Sequence, residues 1–297
     1  MAVSVAHRPP PRPTPELERP RAALRAGPAL RFATIVSSIV VVLMAIESAL
    51  GLVVADLYPE APWAIASLRG NDLVTLVLVA PLLGVAVARQ RSDRWALVWL
   101  SGLLYGVYNF AYYAFGTAFN DVFLLHVASL SLSVLGLIAL ASSLDATSLS
   151  AQAGTISARR TIAAFMVFVG TALTVAWSGF SLRFAINGQL PEDVMPPTAV
   201  HLVYALDLSL LAPMFLSGGI LLWRRAAWGY VLGVAVNLFG AAYLVVLEFV
   251  GGFQANAHIG TATWLSPPAI VGASLCALSA VVLLRHLPSA STGKARS

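Results

Sequence analysis

Residues 201–228 read HLVYALDLSLLAPMFLSGGILLWRRAAW. Most of the run is apolar, yet one acid, Asp207, sits well inside it. Pro213 and a Gly218-Gly219 pair follow, and the run stops at Trp223-Arg224-Arg225. A helix needs about 20 apolar residues to cross ~30 Å of hydrocarbon, so this length predicts a membrane span. Trp and Arg are also the residues that gather where such a span meets water. A looser copy occupies residues 72–95, DLVTLVLVAPLLGVAVARQRSDRW. There too an acid opens the run, an Ala-Pro pair follows at Pro81, and arginines and a Trp close it.

The rest of the chain is made of similar material. Hydrophobic residues form 59% of the sequence and charged residues 10%, with a mean hydropathy of +0.82. A soluble domain carries about 25% charged residues, so an integral membrane protein is expected. Membrane-length apolar runs fall at 33–55, 72–88, 95–117, 122–143, 161–182, 199–222, 227–249 and 263–286. Helices are the expected spanning form, because barrel strands would read as short alternating segments. The fold class read from the sequence is therefore an all-α integral membrane protein with eight transmembrane helices.

Charge orients this arrangement. Sixteen of the 18 Lys and Arg residues fall in alternate loops or in the tails, and the other loops hold only Arg69 and Arg183. The positive-inside rule then places both termini in the cytoplasm, and the even span count agrees. The net charge of +5 reflects topology rather than a nucleic-acid partner. The expected location is the cytoplasmic membrane, multi-pass, with the lipid bilayer as a partner.

Residues 1–32, rich in Pro and Arg, are expected to form a disordered cytoplasmic tail. Val53-Val54-Ala55 resembles a signal-peptide cleavage site, but the apolar run before it is longer than a signal h-region, so it is taken as the first span. The small polar stretch 144–160 reads as a cytoplasmic linker, and 288–297 as a second tail. A shift of about 133 residues brings Pro81 near Pro213, Trp95 onto Trp228, and Asp72 within a helical turn of Asp207. This suggests two four-span units, 33–143 and 161–287, inserted the same way as parallel repeats.

The candidate chemistry lies in the acids. Glu47, Asp56, Glu60, Asp72, Asp121, Glu192, Asp193, Asp207 and Glu248 all belong to the outer side, as do His126, His201 and His258. Glu47 and Asp207 each sit about 12 Å below their outer span ends and would share one site if the first and sixth spans are neighbours. No Lys or Arg occupies the middle of any span. An intramembrane carboxylate must therefore be protonated, solvated in a pocket, or paired with a bound cation. Asp72 and Glu248, at span ends, read more simply as solvated boundary residues. His201 and Tyr204 climb one side of the helix above Asp207, as a polar lining or as interfacial residues. Tyr105, Tyr108 or Asn109, and Tyr112 share a helical face and form the best candidate for a pocket wall. His126, Ser129 and Ser133 line a face of the fourth span, where polar stripes commonly serve as packing contacts.

The candidate ligand-binding set is thus Asp207, Glu47, Tyr204, His201, Tyr108, Asn109, Tyr112 and Glu248, and the candidate metal ligands are His126, His201 and Asp72. No cofactor is indicated. Cys276 is the sole cysteine, which excludes an intrachain disulfide. Phosphate-loop, nucleophile-elbow and HExxH patterns are absent from the sequence. Three functions stay open. The first is a binding or transport protein with an outward-facing polar pocket for a small solute, a cation among the candidates. The second is a structural or assembly subunit with a membrane-protein partner or a second copy of itself. The third is a membrane-embedded enzyme acting on lipid-linked substrates through His126, His201, Asp72, Asp207 and Glu248.

Overall fold

The computed structural model describes residues 23–189 and 197–288. Among these residues the structure is helical, with a single isolated bridge between Leu24 and Leu144. The elements in order are α1 (Pro28–Val53), α2 (Pro62–Val74), a π turn (Thr75–Val79), α3 (Ala80–Ala88), α4 (Asp93–Gly116), α5 (Phe123–Ser143) and α6 (Ala146–Ala153). Then come α7 (Arg159–Asn187), α8 (Pro197–Leu206), a second π turn (Asp207–Leu211), α9 (Ala212–Trp223), α10 (Ala227–Asn256) and α11 (Pro267–Arg285). Seven helices are long and apolar enough to cross a membrane: α1, the Pro62–Ala88 rod, α5, α7, the His201–Trp223 part of the α8–α9 rod, α10 and α11. The protein is a polytopic helical membrane protein. Its outer faces carry exposed Ile35, Val42, Val77, Leu135, Phe168, Val175 and Val271, side chains suited to acyl chains rather than water.

The remaining expected span lies on α4. At 24 residues it is about 36 Å long, but its four tyrosines and Asn109 set its hydropathy below that of the seven. Most of those residues are buried, because α4 packs against α3, α5, α8 and α10.

Proline shapes two rods in the same way. Pro81 and Pro213 cannot donate a backbone hydrogen bond, and their rings crowd the carbonyl four residues back. Each helix accommodates its proline by widening one turn just before it. Ala80 N–H donates to Thr75 O and Ala212 N–H donates to Asp207 O, each an i to i−5 bond. The two π turns lie 132 residues apart, each running into an Ala-Pro pair. Such turns recur where a helix must re-aim side chains.

Hydrogen bonds fix which ends of the helices meet. Ala23 N–H donates to Asp93, Asp145 N–H donates to Ala23 O, and Arg94 donates to Leu287 O. Arg25 pairs with Asp145 at 3.1 Å. The start of α1 and the end of α11 therefore share the arginine-bearing end of the bundle. At the opposite end, Ala118 N–H donates to Glu60 and Ser266 N–H to Glu248.

Several local expectations need revision. Residues 23–32 are ordered rather than part of a disordered tail, because they are pinned beside 143–145 and then enter α1; residues 1–22 and 289–297 lie outside the described residues. The linker 144–160 contains α6, capped by the Asp145 side chain accepting from Ser148 N–H, and α6 packs on α10. The second rod starts at Pro62, so Asp72 lies about 15 Å inside it rather than at its end. Likewise α10 runs on to Asn256 and places Glu248 within the helix. Glu192 and Asp193 lie outside the described residues.

Candidate binding site

α4 supplies the centre of the site. Its turns present Tyr105, Tyr108, Asn109 and Tyr112 toward a cavity of about 290 Å³. α2 contributes Ser67 and Asn71 and α10 contributes Tyr243, while Trp177 of α7 and Tyr204 of α8 complete the aromatic wall. Trp177 and Tyr204 stack with ring centroids 4.3 Å apart at 22°. Tyr108 and Tyr243 meet edge to face at 5.1 Å. No Lys or Arg lines the cavity.

One wall is held by amides and hydroxyls. Asn71 Nδ2 donates to Asn109 Oδ1 at 2.7 Å, and Tyr105 OH donates to Asn71 Oδ1 at 3.0 Å. Gln254 Nε2 donates to Ser67 Oγ at 2.8 Å, tying α10 to α2 beside the cavity. Tyr204 OH is the one buried polar atom of the lining without a partner among the described residues.

Asp207 stands directly behind this wall and is only 1% exposed. The π turn carries it inward, where Oδ1 accepts from Tyr108 OH at 2.6 Å and Oδ2 accepts from Trp177 Nε1 at 2.8 Å. Both oxygens thus accept from neutral donors. No Lys or Arg donates to Asp207; its two hydrogen-bond partners, Tyr108 and Trp177, are both part of the cavity lining.

Glu47 belongs to a different cluster. α1 packs on α2, α3 and α5 rather than on the α8–α9 rod, so Glu47 and Asp207 do not meet. Glu47 Oε2 lies 2.5 Å from His126 Nδ1, and Ser129 Oγ donates to Glu47 Oε1. Beyond the Tyr113 ring, whose centroid is 5.0 Å from that of His126, Asp72 accepts from Tyr113 OH and Tyr58 OH, each at 2.8 Å. Burial, and then the neighbouring Asp72 carboxylate, push the Tyr58 phenol well above its ordinary range, so it remains a donor. Gly51 makes this possible, since any Cβ there would collide with Asp72 Oδ2 and Tyr58 OH.

The structure therefore brings Tyr108, Asn109, Tyr112 and Tyr204 together around one cavity, with Asp207 behind it. It leaves Glu47 with His126, and it leaves Glu248 accepting from Ser266 N–H away from the cavity. His201 is exposed and does not line the cavity. Among the described residues no three His, Cys, Asp or Glu side chains gather to hold a metal, and His126, His201 and Asp72 form no such group. Trp177, Tyr243, Asn71 and Ser67 were not singled out in the sequence. A Trp in the middle of an apolar run, away from either membrane boundary, is the signal that points to Trp177, because its indole N–H needs a buried partner. No known protein family, curated protein or solved structure matches this chain.

Proposed function

We propose that this protein binds a small organic cation in the aromatic cavity and carries it across the membrane. The observation that carries the reading is the cavity itself: five tyrosines and a tryptophan line it, a buried carboxylate backs it, and no basic side chain faces it. Aromatic faces attract ammonium groups, and recognition of quaternary ammonium by aromatic cages is the best-known use of that attraction. The volume admits a solute of few heavy atoms. The unpartnered Tyr204 hydroxyl suits a solute that also carries a polar group.

The transport reading takes eight crossings in two parallel four-span units, 33–143 and 161–287, joined by 144–160. The paired π turns 132 residues apart support the repeat. Contacts linking the start of α1, the start of α4 and the end of α11 support an even number of crossings, with α4 as the eighth. With the arginine-bearing end in the cytoplasm, both termini are cytoplasmic and the cavity opens toward the other side. The cavity then lies where the two units meet, the usual place for a transporter's substrate.

The test is uptake of radiolabelled choline and tetramethylammonium into proteoliposomes. Uptake by wild type, its loss in Asp207→Asn, and no competition from 3,3-dimethyl-1-butanol, the neutral isostere of choline, are expected. Absence of cation uptake, or equal competition by the neutral isostere, contradicts the reading. A second reading, an assembly subunit, draws on α7, whose face bearing Phe168, Val175, Leu182 and Ile186 is exposed. A stoichiometric membrane protein co-purifying in mild detergent, and lost when these residues are changed to Ala, would move the weight there.

A further inference from the structure

We infer that Glu47, His126 and Asp72 form a proton-binding site buried between α1, α2, α4 and α5, distinct from the aromatic cavity. His126 is fully buried, Asp72 is 2% exposed and Glu47 is 3% exposed. Two carboxylates and an imidazole are thus enclosed together inside membrane-length helices, where unpaired charge is expensive and ionisable groups mark ion or proton pathways. Every carboxylate oxygen already has a donor: Ser129 and His126 for Glu47, Tyr113 and Tyr58 for Asp72. One ring nitrogen does not. His126 Nε2 is buried with no partner among the described residues.

That nitrogen is where a proton can be added. With Glu47 Oε2 as the acceptor of the 2.5 Å contact, the neutral ring carries its hydrogen on Nδ1 and has a lone pair on the unpartnered Nε2. A proton delivered from water bonds to that lone pair and converts the imidazole to imidazolium. The added charge is met by the Glu47 carboxylate on one side and the Tyr113 ring on the other, at a centroid separation of 5.0 Å. Release returns the proton to water and restores the lone pair. The other charged or titratable groups facing the cluster are Tyr58 from the 54–61 turn, Arg69 on α2, and Tyr105 and Tyr113 on α4. Asp121, before α5, is exposed.

Asp72 adjoins Asn71, which lines the aromatic cavity and holds Asn109 and Tyr105. One turn of α2 therefore touches both sites, and a proton bound here is placed to couple to solute movement. That coupling rests on the transport reading; the proton site does not.

The test uses the full-length protein in lipid nanodiscs, labelled with ¹⁵N-histidine, with the His126 ring signals assigned by His126→Gln. Across about pH 5–9 the His126 ring is expected to change protonation state. Glu47→Gln is expected to lower its proton affinity about tenfold or more, and Asp72→Asn to lower it by a smaller factor. The Asp72→Asn arm serves if Glu47→Gln fails to fold. A ring that stays in one protonation state throughout, or a transition unmoved by the variants that fold, overturns the site. Loss of choline uptake alongside an intact His126 transition would sink the transport reading alone.

Discussion

Gly70 offers a sharp mechanical test of how the cavity is held. It lies on α2, and a Cβ built there would sit 2.7 Å from Phe249 O and Val250 N and 2.8 Å from Phe249 C on α10. These are backbone atoms and cannot swing aside as a side-chain tip would. Ordinary contact begins near 3.4 Å, so Gly70→Ala must part the two helices by about 0.7 Å, an overpacking that costs about 1–3 kcal/mol. The same shift stretches the Gln254–Ser67 hydrogen bond from 2.8 Å toward its limit, which removes about 1 kcal/mol more. Alanine's better helix propensity returns about 1 kcal/mol. The net expectation is a loss of about 1–3 kcal/mol. Gly179→Ala is the control, since a Cβ there meets nothing within 4 Å, and it should be neutral or stabilising by up to about 1 kcal/mol. Equilibrium unfolding in mixed detergent micelles, followed by circular dichroism, measures both. Equal stability of the two variants would refute the claim that α2 and α10 meet backbone to backbone at Gly70.

Other expectations are more local. Ser37→Ala strips the buried Trp99 indole N–H of its 2.8 Å acceptor, so stability should fall by about 1–3 kcal/mol in the same unfolding assay; an unchanged midpoint would contradict this. Tyr204→Phe removes a buried hydroxyl that has no protein partner, so the unliganded protein should be as stable or up to about 1 kcal/mol more stable. The same variant should bind choline less tightly; a clear loss of stability without solute would show that the hydroxyl already has a partner. At the arginine-bearing end, the Ser148 backbone N–H and Arg25 hold the Asp145 carboxyl below its usual range. A carboxyl depressed in the folded state stabilises α6 above its unfolded value and ceases to do so as pH falls through the folded one. Hydrogen exchange at residues 146–149 should thus be steady near neutral pH and quicken, beyond the intrinsic trend, only below about pH 4. Protection lost at pH 6 would contradict this.

Much of the helical membrane architecture was legible because it depends on local quantities. Length and apolarity mark seven of the rods, and Pro81 and Pro213 flag the two places where a helix departs from α geometry. The tyrosine stripe on α4 was legible too, since spacing alone puts Tyr105, Tyr108 and Tyr112 on one face. What the sequence hides is which face meets which neighbour. Glu47 and Asp207 lie at similar depth, so depth alone suggested one site; packing of α1 on α5 separates them. Asp72 looked like a boundary acid because Arg69 and Asn71 interrupt the apolar run, whereas the helix continues back to Pro62. Tyr58 has the position of an interfacial aromatic, yet Gly51 leaves room for it to turn inward onto Asp72. Trp177 acquires its role only when α7 comes beside the second π turn.

A cation in the cavity would be separated from the Asp207 carboxyl by the Tyr108 and Trp177 side chains that donate to it. Cation binding in this cavity is read by a fluorescence titration of the purified protein with choline, tetramethylammonium and 3,3-dimethyl-1-butanol. Trp177 forms part of the cavity wall and donates to Asp207, so its emission should report occupancy. A saturable change is expected with the two cations, absent in Trp177→Phe and weakened more than tenfold in Asp207→Asn, with little response to the neutral isostere. No saturable change with either cation, or the same affinity in Asp207→Asn, would contradict it.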